Sequence, residues 1–401
     1  MIAIRRLRPA PPKARPDYCI PKDRLPALDD ALQKYPFLEH ASKFWGPYAR
    51  NETTQSIKSL ALHILNEFDS HISSHLLLRG PYNSEAWMEV VLPQGFTGIH
   101  CVAYLGVNEI AEALLEMGDW DADKAGFEGN TPLIWASING HQGIIKLLWE
   151  KAGASLNAKD TIHDKTPLSW AAEYGQEGVA KLLLEQEGVN PESRDHRDRT
   201  PLSWAAAAGS DGIIKRLLER GEVNPESRDV NGQTPLAWAA ECGSEGAVRL
   251  LLEREEVNPE SRNDDDRTPL SYAAGCESEE VVKLLLERKE VNPESRDIDG
   301  RTPLSYAAGC ESEEVVRLLL QQKEVNPESR DNYGRTPLIW AAPKSEGVVG
   351  LLLEREEVNP ESRDNSGRTP LSYAVVWGSV ETVELLLGRE EVNPDSRDND
   401  G

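Results

Sequence analysis

Basic residues, cysteine and bulky aromatics are all scarce in this 401-residue chain, and each shortage removes a class of explanation. Lys and Arg number 44 against 68 Asp and Glu, a formal net charge of -24. Coating nucleic acid or an anionic membrane surface needs clustered cations, so no direct nucleic-acid binding and no membrane attachment are expected. Five cysteines (Cys19, Cys101, Cys242, Cys276 and Cys310) are an odd, thinly spread set with no CxxC pair, which argues against a disulfide framework or a zinc cluster. No run approaches the roughly 18 apolar residues of a membrane span. The opening MIAIRRLRPAPPKARP has too short an apolar stretch for a secretory signal. The chain therefore reads as intracellular, cytoplasmic or nuclear, and the Asn51-Glu52-Thr53 sequon has no meaning as a glycosylation site. With only 5 Phe and 10 Tyr, aliphatic residues must build most of the core.

What the chain has is repetition. Thr-Pro-Leu begins at Thr131, Thr166, Thr200, Thr234, Thr268, Thr302, Thr336 and Thr369, at spacings of 35, then 34 five times, then 33. A degenerate copy starts at Thr97, 34 residues before Thr131, so nine units are expected from about Gly95 onward. In the unit Thr302–Arg335, Thr302 is a helix N-cap and Pro303 suits the first helical position, where no N–H is needed. Leu304, Tyr306, Ala307 and Ala308 give a short helix with a small-residue face. Ser312 is expected to cap a second helix whose first turn carries Glu313 and Glu314 and whose apolar stripe is Val315, Val316, Leu318, Leu319 and Leu320. Asn326-Pro327 ends the helical pattern, and Asp331-Asn332-Tyr333-Gly334 supplies turn chemistry. Neither helix can bury its stripe alone, so the units must stack.

This pattern resembles the ankyrin repeat, and the resemblance covers about three quarters of the chain. It implies an all-α ankyrin-repeat solenoid of about nine helix-turn-helix units over residues 93–401. The departures are regular: Ser, Ile or Ala replaces the family's His, Trp or Tyr follows (Trp170, Trp204, Trp238, Tyr272, Tyr306, Trp340, Tyr373), and the link between units reads VNPESRD. The aromatic column invites a reading as a ligand-stacking stripe, but beside Ala-Ala it is expected to be core. Cys242, Cys276 and Cys310 recur 34 residues apart and read as reduced thiols filling small gaps.

Residues 1–30 form a basic, Pro-rich segment and residues 31–92 a helical region expected to cap the first repeat. The words from Tyr35 to Glu52 and from Phe96 to Gly106 resemble the segment preceding the repeats in fungal NACHT–ankyrin signalling proteins. That resemblance implies relatedness to nucleotide-binding receptors, yet no G-x-x-x-x-G-K-[ST] occurs and no cofactor is expected. His63, Glu67, His71 and His75 recur every fourth residue, but such a row drifts roughly 40° per step around a helix and is not expected to hold a metal. Paired acids such as Glu313 and Glu314 sit at helix starts, and no catalytic set appears in motif context, so the chain reads as no enzyme.

The resemblance implies a scaffold that binds protein partners through a concave surface of turn tips. Carried onto this chain, the contact residues are His196, Arg197 and Arg199; Val230, Asn231 and Gln233; Asp264, Asp265 and Arg267; Ile298, Asp299 and Arg301; Asn332, Tyr333 and Arg335; and Asn365, Ser366 and Arg368. A second reading is a regulatory protein, either a transcriptional co-regulator or a truncated NACHT–ankyrin sensor or decoy. The sequence stops at Gly401 in a turn without a polar closing repeat, so Leu385, Leu386 and Leu387 are expected to be partly exposed, which points either to a truncated chain or to self-association through this end. Residues 1–92 hold 12 basic and 10 acidic residues, leaving 32 and 58 for residues 93–401, so the acidity belongs to the array.

Overall fold

The structure, a computed structural model, describes residues 97–399 other than 119, 127, 128 and 379, together with Leu62. The basic segment, nearly all of the expected helical cap, the His63–His75 row, Cys19 and the Tyr35–Glu52 words lie outside the described residues. Those that are described fall into two compact units divided between Pro201 and Leu202.

The first unit contains α1 (Gly98–Leu105), α2 (Asn108–Met117), α3 (Pro132–Ile138), α4 (Gln142–Ala152), α5 (Pro167–Glu173) and α6 (Glu177–Leu184). The second runs from α7 (Pro201–Ala208), which begins at the division, through α8 (Asp211–Leu218), α9 (Pro235–Glu241), α10 (Glu245–Leu252), α11 (Pro269–Gly275) and α12 (Glu279–Leu286). It continues with α13 (Pro303–Gly309), α14 (Glu313–Leu320), α15 (Pro337–Ala341), α16 (Glu346–Leu353), α17 (Pro370–Trp377) and α18 (Val380–Leu387). These are nine helix pairs, with no strand among the described residues.

Local chemistry sets where the first helix of each pair begins. The hydroxyls of Thr131, Thr166, Thr234, Thr268, Thr302 and Thr369 each accept the N–H three residues on at 3.3 Å, and that of Thr336 does so at 3.4 Å. Proline follows directly, its missing N–H costing nothing in the first turn. The expected serine caps of the second helices are not made: Ser244, Ser278 and Ser312 hold the N-cap position without a side-chain cap bond. Among the described residues of this column in the second unit only Ser345 caps, accepting the Val348 N–H at 3.3 Å. Elsewhere the first-turn acids, such as Glu313 and Glu314, face the positive end of the helix dipole.

Stacking repeats with the same geometry. α9 packs on α11, α11 on α13 and α13 on α15, while α10, α12, α14 and α16 form the parallel outer row. The first helices approach closely because Ala240, Ala274, Ala308 and Ala342, each fully buried, present only a methyl group. Between the rows lie Leu270, Val282, Leu285, Leu304, Val315, Val316 and Leu319, all with no exposed surface. Burial of each such valine or leucine contributes about 1.5–3 kcal/mol, which is why neither helix row holds its shape without the other.

The VNPESRD link is a chain of inter-repeat staples. Glu260 accepts the Asn292 N–H at 3.0 Å with one carboxylate oxygen and the Ser295 hydroxyl at 2.7 Å with the other. Glu226, Glu294, Glu328 and Glu361 do the same to the Asn and Ser of the following repeat. Arg262, Arg296, Arg330 and Arg363 each donate to the carbonyl of the next repeat's equivalent arginine, at 2.8, 2.6, 2.6 and 2.6 Å. Two neighbours are thus tied by charge-assisted bonds outside the apolar core.

At the last pair the exposed apolar surface differs from expectation. Leu386 is fully buried and Leu385 half-buried, whereas Leu387 is 47% exposed. Most of the open surface belongs instead to Val375, Val376, Trp377 and Val380, each at least 60% exposed. Cys276 and Cys310 are half-buried free thiols and Cys242 is exposed, so the last of these fills no gap.

Candidate functional site

Five of the turns between repeats are shown by their bonds to be organised around one aspartate. In the Asp297 turn one carboxylate oxygen accepts the N–H groups of Asp299 and Arg301 at 2.9 and 2.8 Å, and the other accepts the Tyr306 hydroxyl. Asp229 and Asp331 repeat the arrangement with the indole N–H of Trp238 and Trp340 at 3.2 Å, and Asp364 with the Tyr373 hydroxyl at 2.8 Å. In the first unit Asp160 receives the Trp170 indole N–H at 3.0 Å. The fourth turn residue is left-handed, which suits Gly300, Gly334 and Gly367 (φ 76°, 76° and 80°); Asp198 and Asp266 take the same conformation at φ 58°.

The turns are also tied to one another. Asp264 N–H donates to the Asn231 carbonyl at 2.9 Å, Ile298 to Asp265 at 3.0 Å, Asn332 to Asp299 at 2.8 Å and Asn365 to Tyr333 at 2.9 Å. In the first unit His196 donates to the His163 carbonyl at 2.9 Å. The result is a row of tips whose backbone is held while the side chains between Asp and Thr project.

The expected contact residues divide by position within the turn. His196, Arg197, Val230, Asn231, Asp264, Asp265, Ile298, Asn332, Tyr333, Asn365 and Ser366 are exposed, and Asp299 is half-buried. Val230, Ile298 and Tyr333 are 51%, 55% and 53% exposed, apolar side chains held out in water. Arg199, Arg267, Arg301, Arg335 and Arg368 lie lower and are half-buried. Gln233 is the exception: it is 5% exposed and donates its side-chain amide to Glu241 at 2.6 Å, so it braces its own repeat instead of facing outward.

The aromatic column is not simply core. Trp170 and Tyr272 are buried, but Trp135, Trp204, Trp238, Tyr306, Trp340 and Tyr373 are half-buried. The ring faces of Tyr272, Tyr306, Trp340 and Tyr373 are covered by arginines that precede the Thr residues. Arg267 lies over both Tyr272 and Tyr306, at 3.9 and 4.4 Å from the ring centres, Arg301 is 4.8 Å from Trp340, and Arg335 is 4.0 Å from the same ring. Cation and ring alternate from Tyr272 to Trp340. Burial pushes the Tyr272 phenol up to about 12 and the Cys276 thiol up to about 11, so both stay neutral near pH 7. One signal in the sequence could have located this row: from Trp170 onward every aromatic follows its turn aspartate by nine or ten residues, except at Tyr272, where Asn263 stands in that place.

Among the described residues no helix is long and apolar enough to cross a membrane, and no group of three or more His, Cys, Asp and Glu is placed to hold a metal ion.

Stacked helix pairs joined by aspartate-centred turns define a helical repeat protein of the solenoid class. The profile described as "Ankyrin repeats (3 copies)" matches overlapping windows of residues 62–160, 99–195, 157–229, 222–297, 255–331, 289–361 and 323–398. The chain belongs to the ankyrin-repeat family, whose repeats generally mediate protein–protein interactions. No curated protein matches it.

Proposed function

We propose that this chain is a non-catalytic scaffold that captures a protein partner on its row of turn tips. The observation that carries the reading is the exposure of Val230, Ile298 and Tyr333, each more than half exposed, on turns whose backbone is fastened by Asp229, Asp297 and Asp331 and by bonds to neighbouring tips. Burying such side chains costs little ordering entropy because their backbone is already held. The half-exposed aromatic and arginine row below the tips extends the surface with residue types that dominate interface energetics. The regulatory form of this reading, in which the array is the sensor end of a NACHT–ankyrin relative, rests on the resemblance of the words from Tyr35 to Glu52 and from Phe96 to Gly106.

Affinity capture of the full-length chain with quantitative mass spectrometry tests it, comparing wild type with the double variant Ile298→Ala, Tyr333→Ala. Recovery of the main partner is expected to fall about tenfold, equivalent to about 1.4 kcal/mol. The melting temperature should stay unchanged because neither side chain packs in the core. Undiminished recovery, or recovery lost only in step with stability, refutes the reading.

A further inference from the structure

At Arg267 the turn keeps its shape and loses its charge. Asn263 stands where Asp229, Asp297, Asp331 and Asp364 stand in other turns of the unit. Its side-chain oxygen still accepts the N–H groups of Asp265 and Arg267, at 3.1 and 2.8 Å, and its amide nitrogen donates to the Tyr272 hydroxyl at 3.0 Å. Only the carboxylate is missing. Arg335 and Arg368 direct their Nε onto the aspartates of their own turns, at 2.8 and 3.1 Å. The Arg267 side chain makes no hydrogen bond or ion pair with a described residue, and its buried Nε has no partner. It is held by the faces of Tyr272 and Tyr306 instead. Arg301, on the other side of Tyr306, likewise has a buried Nε without a partner and reaches Asp299 only through a terminal nitrogen, at 3.2 Å.

The same chain indicates what this arrangement accepts. In the preceding repeat Glu241 places its carboxylate on Gln233 at 2.6 Å, and in the first unit Glu173 pairs with Lys165 at 2.6 Å. Each time, a glutamate at the end of the first helix covers the polar side chain that precedes the Thr. In the two repeats after Glu241 that glutamate is replaced by Gly275 and Gly309. A Cβ on Gly275 would lie 3.7 Å from a terminal nitrogen of Arg267 and 3.6 Å from the Tyr306 ring, ordinary contact distances, so a side chain leaving this position would lie along the guanidinium and glycine leaves that flank without one.

We propose that this opening receives a side-chain carboxylate of the protein partner, presented by an extended acidic peptide that crosses Arg267 and Arg301. The inference rests on the scaffold reading and names the chemistry of its partner. Both guanidinium groups flank Tyr306, 4.4 and 5.9 Å from its ring centre, and a spacing of roughly 10 Å between neighbouring repeats matches carboxylates three residues apart in a peptide extended as polyproline II, where every third side chain returns to the same face after about 9 Å. Asp264, Asp265 and Asp266 are exposed nearby and repel such a peptide. Repulsion among exposed charges is screened beyond about 8 Å at physiological salt, whereas a carboxylate on a guanidinium desolvated between two rings gains charge-assisted bonds of about 1.5–3 kcal/mol. The acidic surroundings therefore select short, well-placed acidic pairs over long anionic tracts.

The test uses the full chain and a fluorescein-labelled octapeptide, Gly-Ser-Glu-Gly-Ser-Glu-Gly-Ser, beside its Gln/Gln counterpart, followed by fluorescence polarisation. The Glu peptide is expected to bind at least about tenfold more tightly. Gly275→Glu, which installs the carboxylate that Glu241 supplies one repeat earlier, should abolish that preference with the melting temperature unchanged. Arg267→Gln should abolish it as well, although loss of the ring stacking can lower stability, so Gly275→Glu is the decisive variant. Equal binding of the two peptides, absence of binding included, or an unaltered preference in Gly275→Glu, overturns the inference. If that happens while Ile298→Ala, Tyr333→Ala still loses the captured partner, the scaffold reading survives and only the acidic peptide falls.

Discussion

Removing one inter-repeat staple should weaken the array locally and measurably. In Glu260→Ala the Asn292 N–H and the Ser295 hydroxyl lose their acceptor, at 3.0 and 2.7 Å respectively. Hydrogen bonds to a charged group are each worth about 1.5–3 kcal/mol in favourable settings, but the Asn292 bond is exposed and water can replace the carboxylate there. The Ser295 bond is part-buried and its hydroxyl is not easily rehydrated. The expected net loss is about 1–3 kcal/mol, and Glu260→Gln, which keeps one acceptor oxygen, should lose about half of that. Because neighbours in a repeat array are coupled pairwise, the loss falls on the junction between the repeats that begin at Thr234 and Thr268. Urea unfolding should show a lower midpoint, with a reduced slope if the two sides begin to unfold separately. Native-state hydrogen exchange should show faster exchange at the Asn292 amide, while amides of α16, two repeats further on, keep their protection. A stability change below about 0.3 kcal/mol, or an unchanged Asn292 amide, would show that the link is solvated turn and not a staple.

Two further outcomes follow from the backbone and from a buried histidine. Glu311 sits in the left-handed region at φ 69°, where Gly175, Gly209 and Gly243 stand at 65°, 65° and 68° in other repeats, so Glu311→Gly should raise stability by about 1 kcal/mol in a thermal melt. No gain would mean that the glutamate side chain compensates its own backbone strain. His100 is buried, with Nδ1 accepting the Thr97 N–H at 3.1 Å and Nε2 bonded to the Lys124 carbonyl at 2.9 Å, and burial lowers its pKa from 6.5 to about 4. Since the folded pKa lies below the unfolded one, its contribution is intact above pH 6.5 and is lost as pH falls toward 4, to a ceiling of about 3 kcal/mol. Stability measured from pH 7 to 4 should drop less steeply in His100→Asn than in wild type, and parallel curves would rule the histidine out.

Much of this molecule is written in contiguous residues. Thr-Pro-Leu sets the start of the first helices in register, because a hydroxyl cap and a proline act within one turn and need no tertiary neighbour. The apolar stripes of α12 and α14 likewise follow from spacing alone, and with them the ankyrin stack. Contacts 34 residues apart are a different matter, since the sequence repeats the partners without saying which of them meet. The staple from Glu260 to Ser295 joins equivalent links of adjacent repeats, so its aspect as a bond is invisible within one unit. Ser312 has the identity of a cap, yet its hydroxyl makes no cap bond, and Gln233 has a tip position, yet turns inward to Glu241. The rings at Tyr306 and Trp340 read as core, but stacking leaves one edge on the surface, where arginines from two successive turns cover them. The sequence by itself determined the repeat, its period and the helix starts, all short-range properties of the chain. Only the tertiary structure decided which polar groups of successive repeats face one another, because the separation of those groups depends on how closely the buried alanine faces allow the helices to approach.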